Sequence, residues 1–149
     1  MSSADELKQV YQQTVIEHSR EPHHFGRLES ATHQAEGFNP LCGDKTRVYL
    51  QIENDLVERI SHETSGCAIC KASASMMADT VSGQSIATAD ALIAQTDNML
   101  NGDASNKPGL PLESLEGVRA YPSRIKCATL PWRSLQAAMH GDKQSITTE

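Results

Sequence analysis

The chain has 149 residues, 38% of them hydrophobic and 21% charged, which suits a single globular domain over residues 1–149 that buries about two thirds of its unfolded surface. A formal net charge of −6 excludes a general nucleic-acid footprint, because phosphate binding needs clustered Lys and Arg. No apolar run approaches the roughly 20 residues that span a bilayer, and the opening MSSADELKQV lacks a basic region followed by an apolar core, so a cytoplasmic protein with no membrane association is expected. Four cysteines in that compartment stay as thiols, which turns attention to metal binding or sulfur chemistry.

The first segment, SADELKQVYQQTVIEHSR, sets Leu7, Val10, Tyr11, Thr14 and Val15 at helical spacing, with Ser3 and Glu6 placed as a capping box. Pro22 ends that helix, and an irregular stretch runs to Asn39 and Pro40, in which part of ATHQAEGF reads as a short edge strand. TRVYLQIEN alternates Val48, Leu50 and Ile52 against polar neighbours and turns at Asn54 and Asp55 into LVERISHET. An antiparallel hairpin with strands near 46–53 and 56–64 is therefore expected.

After Gly66 the period changes. CAICKASASMMADTVSG places Ile69, Ala72, Met76 and Thr80 on one helical face and closes at Gly83, so Cys67 sits at a helix N-terminus. SIATADALIAQTDNMLNG reads as another helix, DASNKPGLP as a loop, and Leu112 to Tyr121 as a short helix. RIKCATLPWRSLQAAMHG gives a last helix, with Cys127 near its start so that Pro131 falls in or just after the first turn. The tail from about 141 is polar and expected to fray. Together these elements describe an α+β fold, a small antiparallel sheet packed on one side by helices, with neither repeat nor interdomain linker.

Cysteines fall at three similar places: Cys42 before a strand, Cys67 and Cys70 at one helix start, and Cys127 near another. Helix N-termini lower a thiol pKa, and Lys71, Arg124 and Lys126 push the same way. Free cysteines also serve as small core hydrophobes, and spacing alone leaves both readings open.

The words around the cysteines go further. NPLCGD, SGCAICKASASMMAD and RIKCATLPWRSL resemble, in order, the three cysteine-bearing segments of the U-type iron-sulfur cluster assembly proteins, the group that includes IscU and the NifU N-terminal domain. VYQQTVIEHSREPHHFGRLE resembles that group's opening helix, so the likeness covers residues from about 8 to 137. Within the group the chain most resembles the SufU branch. The interval between Cys67 and Cys127 is longer than in IscU, with the surplus around NGDASNKPGLPLESLEG, and Lys126 stands where IscU-like proteins carry a histidine.

The resemblance implies one zinc per chain, and a protonated lysine is a poor ligand, so Cys42, Asp44, Cys67 and Cys127 make the expected donor set. It also implies a cysteine desulfurase as partner, Cys42 as the sulfur that becomes a persulfide, and iron-sulfur acceptor proteins downstream, in the manner of a zinc-dependent sulfurtransferase. Two other readings stand beside it: a scaffold on which an iron-sulfur cluster is assembled on the same three cysteines, and a module whose zinc is purely structural. Cys70 departs from the branch, which usually has serine there. It reads as a small helix residue, with an alternative ligand, a sulfur relay or a redox pair with Cys67 as the other readings. The six histidines read as surface or packing residues, His33, His62 and His140 having no ligand-spaced partner, with His62 the outsider because it precedes Cys67 by five residues.

Overall fold

The computed structural model describes residues 13–102, 107–141 and 146–147. The expected capping box and the apolar positions Leu7, Val10 and Tyr11 lie outside the described residues. Residues 13–20 are helical (α1), and Val15 packs on the main core. Three strands follow, β1 (His33–Asn39), β2 (Asp44–Glu53) and β3 (Leu56–Ser65), then α2 (Ala68–Val81), α3 (Ile86–Asn101), a 3-10 helix (Leu112–Ala120), α4 (Pro122–Met139) and a two-residue strand β4 (Ile146–Thr147). No helix among the described residues is long and apolar enough to cross a membrane.

The sheet order is β3-β2-β1-β4. β1 pairs with β2 and β2 with β3, both antiparallel, as the alternation predicts. Asn54 and Asp55 both take positive φ, 52° and 61°, the pair of left-handed residues that a two-residue type I′ hairpin demands. The edge strand expected in ATHQAEGF is longer than a fragment: all seven residues of β1 pair with β2. On its other side Gly37 and Phe38 pair in parallel with Ile146 and Thr147. The tail is thus partly ordered, because an edge strand offers unpaired main-chain groups to any chain that reaches it.

One face of the sheet is buried. Ala35, Gly37 and Asn39 on β1, Asp44, Thr46, Val48 and Leu50 on β2, and Val57, Ile60, His62 and Thr64 on β3 all point inward. α4 packs across β1 and β2, α2 lies against β3, and α3 rests on α4. Gly37 permits the close crossing of α4, since a Cβ there would collide with Ser134 and Leu130. Val48, Leu50, Met76, Met77, Leu115, Trp132 and Leu135 form the main core, in keeping with Trp132, Met76 and Met77 as packing residues.

The last helix departs from expectation. It begins at Pro122, a residue preset for the first helical position, so Cys127 lies a turn and a half inside it. Pro131 is interior and has no N–H to give the Cys127 carbonyl. Two side-chain bonds lie beside this discontinuity: Ser73 of α2 donates to the Ala128 carbonyl at 2.6 Å, and Ser134 donates to that of Leu130 at 2.9 Å. α2 and α4 are thereby joined beside Cys127.

Candidate metal centre

The register of β1 on β2 ends at Asn39 opposite Asp44, so residues 40–43 form the turn and Cys42 sits in it, half-buried. Asp44 occupies the first inward position of β2 and is fully buried. A buried carboxylate is costly unless hydrogen-bonded. Here Oδ1 accepts the Cys67 main-chain N–H at 2.8 Å and Oδ2 accepts the Asn39 amide at 3.1 Å. Gly66 makes this approach possible, because its φ is +126° and a Cβ would collide with the Asp44 carboxylate and Cα.

Cys67 is the N-cap of α2, as the sequence predicts, but its side chain makes no cap bond. Asp44 takes the N–H instead, placing negative charge at the positive end of the helix. Cys127 arrives from α4 fully buried; its thiol receives the Asn39 amide at 3.5 Å and donates to the Ser123 carbonyl at 3.6 Å. One ligand atom each from Cys42, Asp44 and Cys127 lie within 4.8 Å of one another. Cys67 is outside that mutual set, yet it packs in the same small cluster as Cys42, Cys70, Cys127 and Leu130.

Burial, and then the adjoining Asp44, Cys42 and Cys67 groups, push the Cys127 thiol far above its ordinary range. Burial, followed by Asp44, does the same to Cys70. Removing protons from such crowded sulfurs requires positive charge. Arg124 supplies some: its guanidinium is raised above its usual value first by Cys67 and then by Cys127. A divalent cation would supply more, and it converts coordinating thiols to thiolates outright. Three sulfurs and one carboxylate are donors that tetrahedral zinc accepts, so the residues fit such an ion. The Asn39 Oδ1 atom is buried beside them without a hydrogen-bond partner.

Asn39 is the residue that sequence reasoning missed. It bridges Asp44 and Cys127, and its only signal was its place at the head of NPLCGD. Cys70 is buried one turn into α2 and lies outside the set of mutually close donors, consistent with a small helix residue. His62 is fully buried with both ring nitrogens engaged, Nδ1 by Thr64 at 2.8 Å and Nε2 by the His23 carbonyl at 3.0 Å, so it packs rather than ligates. Two of the histidines expected as surface or packing residues, His18 and His23, come together with Asp79, their ligand atoms within 4.8 Å of one another.

Comparison with known proteins agrees with this geometry. The model of the NifU-like N-terminal domain matches residues 10–143. The zinc-dependent sulfurtransferase SufU of Bacillus subtilis is 37% identical over 139 residues, covering 91% of this chain and 93% of that relative. The iron-sulfur cluster assembly scaffold protein IscU of Streptococcus pyogenes is 37% identical over 135 residues, covering 89% and 84%. A crystal structure of a putative scaffold protein for the SUF system from Fervidobacterium islandicum superposes with a TM-score of 0.79 at 29% identity, over 88% of this chain and 97% of that one. With its cysteine-bearing turn, helix cap and helix brought to one end of the sheet, the chain belongs to the family of NifU-like N-terminal domains.

Proposed function

We propose that this chain works in iron-sulfur cluster assembly as a sulfur acceptor for a cysteine desulfurase, acting as one U-type domain in the cytoplasm with zinc held by Cys42, Asp44, Cys67 and Cys127. The observation that carries the reading is the contrast within the site: Cys42 is half-exposed in a turn while Asp44 and Cys127 are buried. Cys127 and Asp44 stay behind as a buried anchor, while Cys42 in its turn and Cys67 at the helix cap remain partly exposed, and of these two it is Cys42, next to the exposed Leu41, that meets a partner. Zinc, when bound, holds the thiols deprotonated at neutral pH.

In the transfer step the Cys42 thiolate attacks the terminal sulfur of a persulfide on the desulfurase. A new S–S bond forms on Cys42, the S–S bond of the desulfurase breaks, and its cysteine leaves as a thiolate, with no net oxidation. Asp44 remains fixed by Asn39 and the Cys67 N–H throughout. Arg124 offsets the charge left on Cys67 and Cys127. Leu41, next to Cys42 and 64% exposed, offers an apolar contact to the desulfurase. Iron-sulfur acceptor proteins would use the product downstream.

The second reading is a scaffold on which a cluster is built from iron and sulfide, since thiolates hold iron-sulfur clusters as well as zinc and a relative named as a scaffold is equally similar. Sulfide release by the cognate desulfurase, measured with the unmodified chain and with Asp44→Ala alongside zinc content, separates the two. Sulfur transfer predicts that the unmodified chain stimulates release and that the variant loses zinc and stimulation together. Loss of zinc with full stimulation would put the scaffold first.

A further inference from the structure

Asp79 lies twelve residues along α2 from Cys67, about 18 Å at the rise of an α-helix, too far to share an ion. Around it the chain gathers three imidazoles. His23 Nδ1 is 2.5 Å from Asp79 Oδ2, His24 Nε2 is 3.2 Å from Oδ1, and the His18 and His23 rings are 4.6 Å apart between centroids. His18, His23 and Asp79 each present a ligand atom within 4.8 Å of the other two.

The cluster is built. Ser75, one turn before Asp79, lies 2.7 Å from His18 Nδ1 and accepts the His23 main-chain N–H at 2.7 Å. A partner on one ring nitrogen fixes an imidazole and leaves the other as a donor. The loop carrying His23 and His24 is tied to β3, where the His62 main-chain N–H donates to the His24 carbonyl and the His62 carbonyl accepts the Gly26 N–H. His24 adopts a φ of 58°, a left-handed conformation uncommon outside glycine, and contacts the same carboxylate that His23 does.

We propose that His18, His23 and Asp79 form a second metal site, for a divalent first-row transition ion, separate from the cysteine centre. Two imidazoles and one carboxylate suit iron, nickel, copper or zinc. Asp79 ligates through one oxygen while His24 donates to the other, and Ser75 orients His18, the outer partners that such ligands ordinarily have.

Cobalt(II) titration of the metal-free full chain without oxygen tests this, because the two sites report differently. Cobalt in the cysteine site shows sulfur-to-metal charge-transfer absorption in the near ultraviolet, and cobalt on imidazole and carboxylate does not. Two equivalents should bind, one with that band and one without. His23→Gln, at a half-exposed side chain where folding is undisturbed, and Asp79→Asn should each abolish the second equivalent and keep the first. His24→Gln should weaken the second about ten- to a hundredfold. A single equivalent, or an unchanged second equivalent in His23→Gln, would overturn the site and leave the cluster as an ionic clasp between the loop and α2.

Discussion

The beginning of α2 and its last turns each gather metal-competent side chains, but from different materials. At the beginning, the helix cap Cys67 meets a hairpin turn and α4, and the donors are sulfurs around a carboxylate that is entirely buried and fully hydrogen-bonded. Near the end, Asp79 meets α1 and the loop behind it, and the donors are imidazoles around a carboxylate that remains one-third exposed. One rigid rod thus positions both groups, and donor softness sets which ions each can hold. Burial separates their energetics: crowded buried thiols need a cation to ionise, whereas the exposed His–Asp pairs contribute little stability on their own.

Cys127→Ala breaks this comparison most severely at the cysteine end. It should remove nearly all tightly bound zinc by elemental analysis and leave the second cobalt equivalent intact. Asp44→Ala comes next, since it deletes a ligand and also strands the Cys67 N–H and the Asn39 amide; the metal-free chain should lose about 1–3 kcal/mol in urea unfolding. At the other end Ser75→Ala removes the shared partner of His18 and the His23 N–H, and should cost about 1–2 kcal/mol with zinc content unchanged. The two costs should add, because the sites share no partner.

Acid should act through His62, which lies against the loop of His23 and His24. Burial holds this imidazole below its ordinary value of 6.5, so on acidification the unfolded chain binds a proton that the folded chain refuses. Stability of the metal-free chain should be complete above 6.5 and fall as pH drops below it, and His62→Gln should flatten that slope in urea titrations on either side of 6.5. Cys70→Ser should do least. Zinc should stay bound by elemental analysis, and stability should change by about 1 kcal/mol, since a helix serine can satisfy its hydroxyl on the preceding turn.

Local signals in the sequence carried most of the fold. The Val48, Leu50 and Ile52 alternation, the Asn54–Asp55 turn and the Gly83 stop each express a backbone rule within a few residues, and the strands and helices lie where those rules put them. Cys42, Asp44, Cys67 and Cys127 were legible because they stand in distinctive words. The start of α4 carries no clear cap in the sequence, and Pro122 opens the helix early, leaving Cys127 inside. Asn39 and the His18–His23–Asp79 group were illegible for another reason. Their partners lie across the chain, 88 residues away for Asn39 and Cys127 and 56 for His23 and Asp79, and no local pattern encodes such meetings.

Sulfur acceptance at Cys42 is best tested by mass spectrometry of the zinc-loaded chain after incubation with the cognate desulfurase and cysteine, with thiols trapped and the sites mapped by peptide. One added sulfur atom should appear on the Cys42 peptide, with none on the Cys67, Cys70 or Cys127 peptides, and Cys42→Ser should carry no added sulfur. Added sulfur on another cysteine in the Cys42→Ser variant, or none on the unmodified chain while the desulfurase turns over, would contradict a transfer step at Cys42.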